Sequence, residues 1–103
     1  MEGGDMEHSE RLNELRDHGR MQWLDRAQGW QAEPDDIVNA LTADGFQECK
    51  RETARVPRAP ATGGVWQGID PKTGAVASTV WTREPGGASV VFITINGEAL
   101  QGQ

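Results

Sequence analysis

Cysteine is nearly absent from this sequence, because Cys49 is the single cysteine among 103 residues. One cysteine excludes an internal disulfide framework and a zinc site built on several cysteine ligands. Long apolar runs are also missing, since no stretch approaches the roughly 18–20 apolar residues that span a bilayer. The first residues, MEGGDMEHSE, are acidic and lack the apolar centre of a signal peptide. We therefore expect a cytoplasmic protein that makes no contact with a membrane.

Positive charge is scarce as well. Ten lysines and arginines stand against sixteen acidic residues, which gives a net charge of -6. General nucleic-acid binders and binders of anionic membranes carry a basic surface, so this balance argues against both kinds of partner. Only 36% of the residues are hydrophobic, which at this length fits one small domain with a modest core.

The motifs of known catalytic and cofactor sites do not occur in working combinations. Residues 72–74 read Lys-Thr-Gly, as in serine β-lactamases, but no Ser-x-x-Lys or Ser-Asp-Asn accompanies them and the preceding Asp-Pro indicates a turn. His8 and His18 lack a third metal ligand, Cys49 has no identifiable base, and no glycine-rich loop leads into a helix. We expect no catalytic residue, metal, cofactor or small-molecule substrate, and hence a protein that is not an enzyme.

Helical patterns occupy the first half of the chain. Residues 9–17 predict a helix that Ser9 can cap, and a second apolar surface predicts that helix resumes over residues 20–28. The clearest pattern predicts a helix over residues 34–44, which begins with a proline and ends before a glycine.

Strand patterns occupy the second half. Residues 46–53 predict a weak first strand at an edge of the sheet. Three further strands are predicted over residues 65–69, 75–83 and 88–96, joined by the turn sequences DPKTG and EPGG. The predicted fold class is α+β, with two or three N-terminal helices followed by an antiparallel meander sheet of three to four strands.

The pattern indicates one domain over residues 9–97. Residues 1–8 are expected to form a disordered tail, because they are acidic and contain Gly-Gly. Residues 54–63 hold two prolines and end in the first glycine of a Gly-Gly pair, and they predict a flexible loop. Residues 98–103 are expected to form a C-terminal tail.

Pairing the residues that flank each turn divides the sheet into two faces. This pairing sets Ile69 opposite Ala75 and Val80 opposite Val91. The face expected to meet the helices carries Val76, Val80, Val91, Ile93 and Ile95, with Trp66 near its end. The other face carries Val65, Ile69, Trp81, Val90 and Phe92 among polar residues. A register shift of one residue would exchange the faces.

The second face is too apolar for a sheet surface that meets only water. Either long loops or the N-terminal helix cover it, or it is a surface for protein contacts. We favour a non-enzymatic protein-interaction module, such as an inhibitor, adaptor or regulator, whose partner meets this face and the acidic helix surface. A second copy of the chain is among the candidate partners. The predicted contact residues are Trp81, Phe92, Val90, Ile69 and Val65.

An alternative function uses the one basic stretch of the chain, KRETARVPR at residues 50–58. Its four basic side chains could contact a polyanion, which would make the protein a nucleic-acid-associated regulator. The predicted contacts in that case are Lys50, Arg51, Arg55 and Arg58. The acidic remainder of the chain opposes such binding.

Overall fold

The computed structural model of the chain describes residues 9–55, 58 and 61–102. Within these ranges the elements are α1 (Glu10–Asp17), β1 (Gln22–Leu24), β2 (Gly29–Gln31), α2 (Pro34–Ala43), β3 (Gln47–Ala54), β4 (Gly63–Ile69), β5 (Val76–Arg83), β6 (Ser89–Ile95) and β7 (Glu98–Ala99). All seven strands join one antiparallel sheet in the order β1-β2-β6-β5-β4-β3, and β7 pairs with β6. The predicted α+β class is confirmed, with more strands than expected. Neither of these helices is long and apolar enough to cross a membrane.

Helix α1 begins where the sequence predicts. The Oγ atom of Ser9 accepts a hydrogen bond from the backbone N–H of Leu12, which satisfies one of the unpaired donors of the first turn. The same hydroxyl donates to the carboxylate of Asp44, just beyond α2. Ser9 is buried, so the cap of α1 also joins the two helices.

Helix α2 confirms the prediction for residues 34–44, with its last residue one position earlier. Pro34 occupies the first turn, where its missing N–H costs no hydrogen bond. Gly45 has φ of +115°, and the N–H of Phe46 returns to the carbonyl of Leu41 at 3.1 Å. Ile37 and Leu41 are fully buried and fix this helix against the sheet.

The helix predicted over residues 20–28 is wrong, because this segment forms the hairpin β1–β2. Trp23 lies opposite Trp30 in the hairpin, and their rings make an edge-to-face contact with centroids 5.2 Å apart. The Trp30 Nε1 atom donates to the carbonyl of Leu100 at 3.0 Å. Burial of this pair outweighs the helical spacing of the apolar residues, as tertiary context commonly does.

The core lies between the two helices and one face of the sheet. It contains Leu12, Met21, Trp30, Ala32, Ile37, Val38, Ala40, Leu41, Phe46, Trp66, Ala77, Val91, Ile93, Ile95 and Leu100. The segment 98–103, predicted as a tail, supplies β7 and the buried Leu100 to this structure. The predicted disorder of residues 1–8 lies outside the described residues, as do residues 56, 57, 59 and 60 of the predicted loop 54–63. The two end residues of that loop, Ala54 and Gly63, are cross-strand partners in β3 and β4.

Candidate protein-contact face

The register of the sheet differs from the predicted register by one residue at each of two turns. Between β4 and β5, Ile69 lies opposite Val76 rather than Ala75. Between β5 and β6, Val80 lies opposite Phe92 rather than Val91. Both corrections are in the same direction: each residue of the first strand lies opposite a residue one position further along the second strand than predicted.

The hydrogen bonds of the two turns explain this register. In DPKTG the N–H of Asp70 bonds the carbonyl of Ala75 at 2.9 Å, and the N–H of Gly74 bonds the carbonyl of Asp70 at 2.7 Å. Gly74 has φ of +77°, a conformation that L side chains rarely adopt. In the second turn, the N–H of Glu84 bonds the carbonyl of Ala88 at 2.7 Å. Each turn therefore pairs one more residue on its first strand than the sequence suggested.

The two one-residue shifts lie on either side of β5. They therefore exchange the two faces of β5 but leave β4 and β6 on the faces that were predicted for them. Ala77 and Thr79 on β5 are buried toward the helices, whereas Val76 and Val80 are exposed on the opposite side. This corrects the prediction that Val76 and Val80 belong to the core face. The inward residues predicted for β4 and β6 are confirmed, because Trp66, Val91, Ile93 and Ile95 are all buried.

The face turned away from the helices is here called the open face, and is defined by the outward side chains of β4, β5 and β6. These are Val65, Gln67, Ile69, Val76, Ser78, Val80, Thr82, Val90, Phe92 and Thr94. None of them is charged, although 25% of the chain is. Four large apolar side chains are exposed to solvent here: Ile69 at 42%, Val76 at 43%, Val80 at 44% and Phe92 at 37%.

Cross-strand pairing arranges these side chains in rows. Phe92, Val80 and Val65 are successive partners across β6, β5 and β4, and they form the first ridge. Val76 and Ile69 are partners and form the second ridge. Direct partners on one face have Cβ atoms about 5 Å apart, so the side chains of each ridge are in contact range.

A polar row separates the two ridges. It consists of Thr94, Ser78 and Gln67, which are also successive cross-strand partners. All three are half-buried and uncharged. The open face is therefore a polar valley between two apolar ridges.

Glycine at position 29 shapes one end of the first ridge. A Cβ atom there would lie 2.7 Å from the Phe92 ring and 2.9 Å from the Val90 Cγ1 atom. Both side chains therefore lean over β2. Val90 points to the open face but is only 2% exposed, so a partner cannot reach it. Phe92 is 37% exposed and remains accessible.

Ion pairs within the chain neutralise the charges at the edges of this face. On β3, Lys50 and Glu52 point to the open side, because their partners are Gln67 and Val65, and they lie 3.5 Å apart. At one corner, Arg26 and Glu84 are 3.1 Å apart. The hydrogen bond from the Arg26 guanidinium lowers the pKa of the Glu84 carboxyl below its ordinary 4.5. The open face and its rim therefore carry little net charge.

The predicted contact residues divide between the two sides of the sheet. Val65, Ile69 and Phe92 lie together on the open face. Trp81 lies on the helix side, because its partner is the buried Val91.

Trp81 is half-buried against the core cluster, and its ring lies over a glycine. A Cβ atom at Gly64 would lie 2.5 Å from the Trp81 Nε1 atom. The guanidinium carbon of Arg83 is 5.6 Å from the Trp81 ring centroid, within range of a cation–π contact. The exposed residues that the sequence analysis missed, Val76 and Val80, could have been found only from the correct loop lengths.

The basic segment does not form one patch. Lys50 and Arg51 point to opposite sides of β3, because their partners Gln67 and Trp66 do. Arg51 forms an ion pair with Glu48 at 2.7 Å, and Lys50 forms one with Glu52 at 3.5 Å. Arg55 and Arg58 are exposed beyond the end of β3.

The residues considered for catalysis or metal binding stay apart. Cys49 is exposed on β3, with its Sγ atom 3.5 Å from the carbonyl of Gln67. His18 caps the end of α1, far in the chain from Cys49, and it is exposed. Across residues 9–55 and 61–102, no three His, Cys, Asp or Glu side chains form a group that could hold a metal ion. A cleft of about 220 Å³ lies between the start of α2 and β3–β5, and two more open depressions of about 370 Å³ lie along β3–β5 and between the two helices.

Comparison with protein-family models, with curated proteins and with solved structures finds no match for this chain. Its function is therefore inferred from its own residues.

Proposed function

We propose that this chain is a small acidic, non-enzymatic protein-interaction module that binds a protein partner through the open face. Its role would be that of an inhibitor, adaptor or regulator. One observation supports this proposal: Ile69, Val76, Val80 and Phe92 are exposed together on strands β4–β6, whose outward side chains are all uncharged.

Side chains along a strand alternate between the two faces of the sheet, and those on a face that meets only water are normally polar. Complete burial of a Val, Ile or Phe side chain contributes about 1.5–3 kcal/mol. Leaving four such side chains partly in water forgoes that contribution, whereas a partner that covers them recovers it. The depletion of charge matches the centre of protein interfaces, where charged residues are scarce and apolar and aromatic ones are retained.

The helix side of the molecule supplies the acidic surface. Its acidic residues on α1 and α2 are Glu10, Glu14, Asp17, Asp35 and Asp36. Some are paired, since Arg20 lies 2.8 Å from Asp36 and Arg11 lies 3.5 Å from Glu14. Such a surface opposes non-specific association with other acidic molecules and leaves the uncharged open face for close contact.

The alternative, a nucleic-acid-associated regulator, is less well supported. It requires the basic residues of segment 50–58 to act together, but Lys50 and Arg51 face opposite ways and each has a glutamate partner. An exposed arginine that already forms an ion pair with a glutamate contributes less binding free energy to a contact with phosphate. We therefore propose no second function.

The proposal is tested by capturing binding partners on the immobilised wild-type protein and on two lysine variants, and by comparing the proteins recovered with each. Val80→Lys places a charge at the centre of the first ridge, and Thr42→Lys places the same charge on an exposed position of α2. Proteins that bind the wild-type chain and the α2 variant, but not Val80→Lys, are the expected result. Equal recovery with both variants would show that the open face is not the binding surface.

A further inference from the structure

We infer that the partner of the open face is a second copy of this chain, packed face to face as a two-fold dimer. This inference rests on the proposed function, because it names the partner of the same surface. Sheets that pack face to face lie about 10 Å apart with side chains interdigitated, and a two-fold interface uses the same patch on both copies.

Charge is the first argument for a second copy. Each chain carries a net charge of -6, so two copies repel each other over most of their surfaces. A surface that carries no charge lets them approach without adding to this repulsion. The ten residues of the open face meet that condition, whereas at the chain's average of 25% charged residues roughly two or three of ten would be charged.

A partner with a strong charge of its own is disfavoured by the same observation. A basic protein would gain nothing from the uncharged valines of this face and would instead be drawn to the acidic helices. The rim ion pairs Lys50–Glu52 and Arg26–Glu84 are satisfied within the chain and offer no unpaired charge. A copy of the same face is neutral as well, so neither partner buries an unpaired charge.

The surface shape of the open face is the second argument for a second copy. Two apolar ridges flank one polar row, and residues 80 and 76 of the two ridges are four positions apart on β5. At about 3.3 Å per residue, the ridges are about 13 Å apart and leave a valley for one inserted row. In a two-fold dimer, one ridge of each copy enters the valley of the other. The shape is therefore complementary to itself.

The middle of the valley suits this arrangement. Ser78 is smaller than Val76 and Val80 on either side of it, and the hydroxyls of Ser78 and Thr94 can rotate to bond a neighbour. Gln67 offers both a donor and an acceptor at the end of the row. A copy of the same row presents matching hydroxyl and amide groups at the margins of the contact.

The longer edge strand of the sheet, β3, offers no equal route to association. All eight residues of β3 are exposed, but Glu48, Lys50, Arg51 and Glu52 place charges along this edge strand. The ladder is also irregular beside Cys49, between Glu48 and Lys50. Edge charges and bulges are common protections against edge-to-edge pairing.

The size of the face sets the expected strength. The three strands β4–β6 at about 4.8 Å and seven residues at about 3.3 Å give a footprint of roughly 14 by 23 Å, or about 330 Å² in projection. Stable complexes commonly bury about 800 Å² on each partner. We therefore expect a dimer that dissociates in the micromolar range rather than an obligate one.

Sedimentation of the purified chain measures this equilibrium. From about 5 to about 500 µM, which brackets micromolar dissociation constants, the mean mass should rise from the 11.2 kDa monomer toward twice that mass. Added sodium chloride should leave the association unchanged or strengthen it, because salt screens the repulsion between the two acidic chains. Association that weakens as salt is added would indicate charged contacts and overturn the inference.

Variants of opposite charge isolate the face. Val80→Lys makes the chain less acidic and Val80→Glu makes it more acidic, yet both should raise the Kd by about tenfold or more, because each buries a charge in an uncharged contact. The matched Thr42→Lys variant on α2 should leave the Kd unchanged. A dimer that survives both changes at position 80 would use another surface, and the inference would be wrong.

A second measurement applies to the wild-type chain if the variants fold poorly. Dilution should move the backbone amide resonances of β4–β6 and leave those of α1 and α2 in place. A wild-type chain that remains monomeric to about 500 µM overturns the inference. The proposed function fails separately, namely when Val80→Lys changes neither self-association nor the recovery of any other protein.

Discussion

The indole ring of Trp66 lies directly over Gly68, two residues further along β4. A Cβ atom at position 68 would lie 2.4 Å from the Cη2 atom of Trp66. The ring crosses the glycine toward β3, where its Nε1 atom donates a 2.9 Å hydrogen bond to Glu48. Glu48 is the cross-strand partner of Gly68. The missing side chain thus lets a buried tryptophan join β4 to the edge strand.

Gly68→Ala should destabilise the fold by about 1–3 kcal/mol, because the added methyl group would force the Trp66 ring out of its position. Urea unfolding followed by tryptophan fluorescence measures this effect. Gln67→Ala, on the same strand but on the open face, is the matched control and should change stability by less than about 0.5 kcal/mol. Gly68→Ala stability at or above that of the wild type, the usual result of replacing an unstrained glycine, would contradict the packing described.

Glu48 should contribute a pH-dependent part of the stability. Its hydrogen bond from Arg51, and next that from Trp66, lower the pKa of the Glu48 carboxyl below the ordinary 4.5. The folded state therefore holds the Glu48 proton less tightly than the unfolded state does. This contribution is present above pH 4.5 and is lost as the pH falls through the lower pKa of the folded state.

Glu48→Gln tests this prediction. The variant should lose less stability than the wild type when urea unfolding is repeated at falling pH below 4.5. Glu98→Gln, at a carboxylate on the exposed strand β7, serves as the matched control. Identical pH dependence in the wild type and Glu48→Gln would show that the contacts of Glu48 with Arg51 and Trp66 do not persist in solution.

Helix α2 was predictable because each of its signals is local. Its first proline, its acidic first turn and the glycine after its end act within a few residues, so the sequence pattern and the structure agree. The hairpin β1–β2 was not predictable in this way. Its strands are three residues long, and the Trp23–Trp30 contact and the bond from Trp30 to Leu100 depend on the folded chain.

The candidate site was predictable in part for the same reason. Val65, Ile69 and Phe92 were assigned correctly to one face, because the two register errors cancel between β4 and β6. Strand β5 lies between the two turns, so its predicted register is wrong by one residue relative to both neighbours. The prediction therefore placed Val80 on the helix side and Trp81 on the open face, the reverse of the structure. Loop length decides such a case, and turn sequences such as DPKTG allow more than one pairing of the flanking strands.

Nucleic acid should bind only weakly. The paired positions of Lys50 and Arg51 leave few free cations for phosphates, and the net charge of -6 repels the backbone. Titration of labelled DNA and RNA at low and at about 150 mM salt, followed by fluorescence anisotropy, should show no saturable binding at the higher salt. Saturable binding there that is lost in Arg55→Gln, and kept in Arg16→Gln on α1, would restore the basic segment as a functional site.

Trp81 and Val80, neighbours on β5, should respond to truncation in opposite ways. Trp81→Ala should destabilise the monomer by about 2 kcal/mol, because its half-buried ring packs on the core cluster. Val80→Ala should change stability by less than about 1 kcal/mol but weaken self-association, since Val80 is 44% exposed at the centre of the first ridge. Urea unfolding and sedimentation of both variants separate the two effects. If Trp81→Ala weakened association while leaving stability unchanged, the contact surface would lie on the helix side of the sheet, and the assignment of the open face would be wrong.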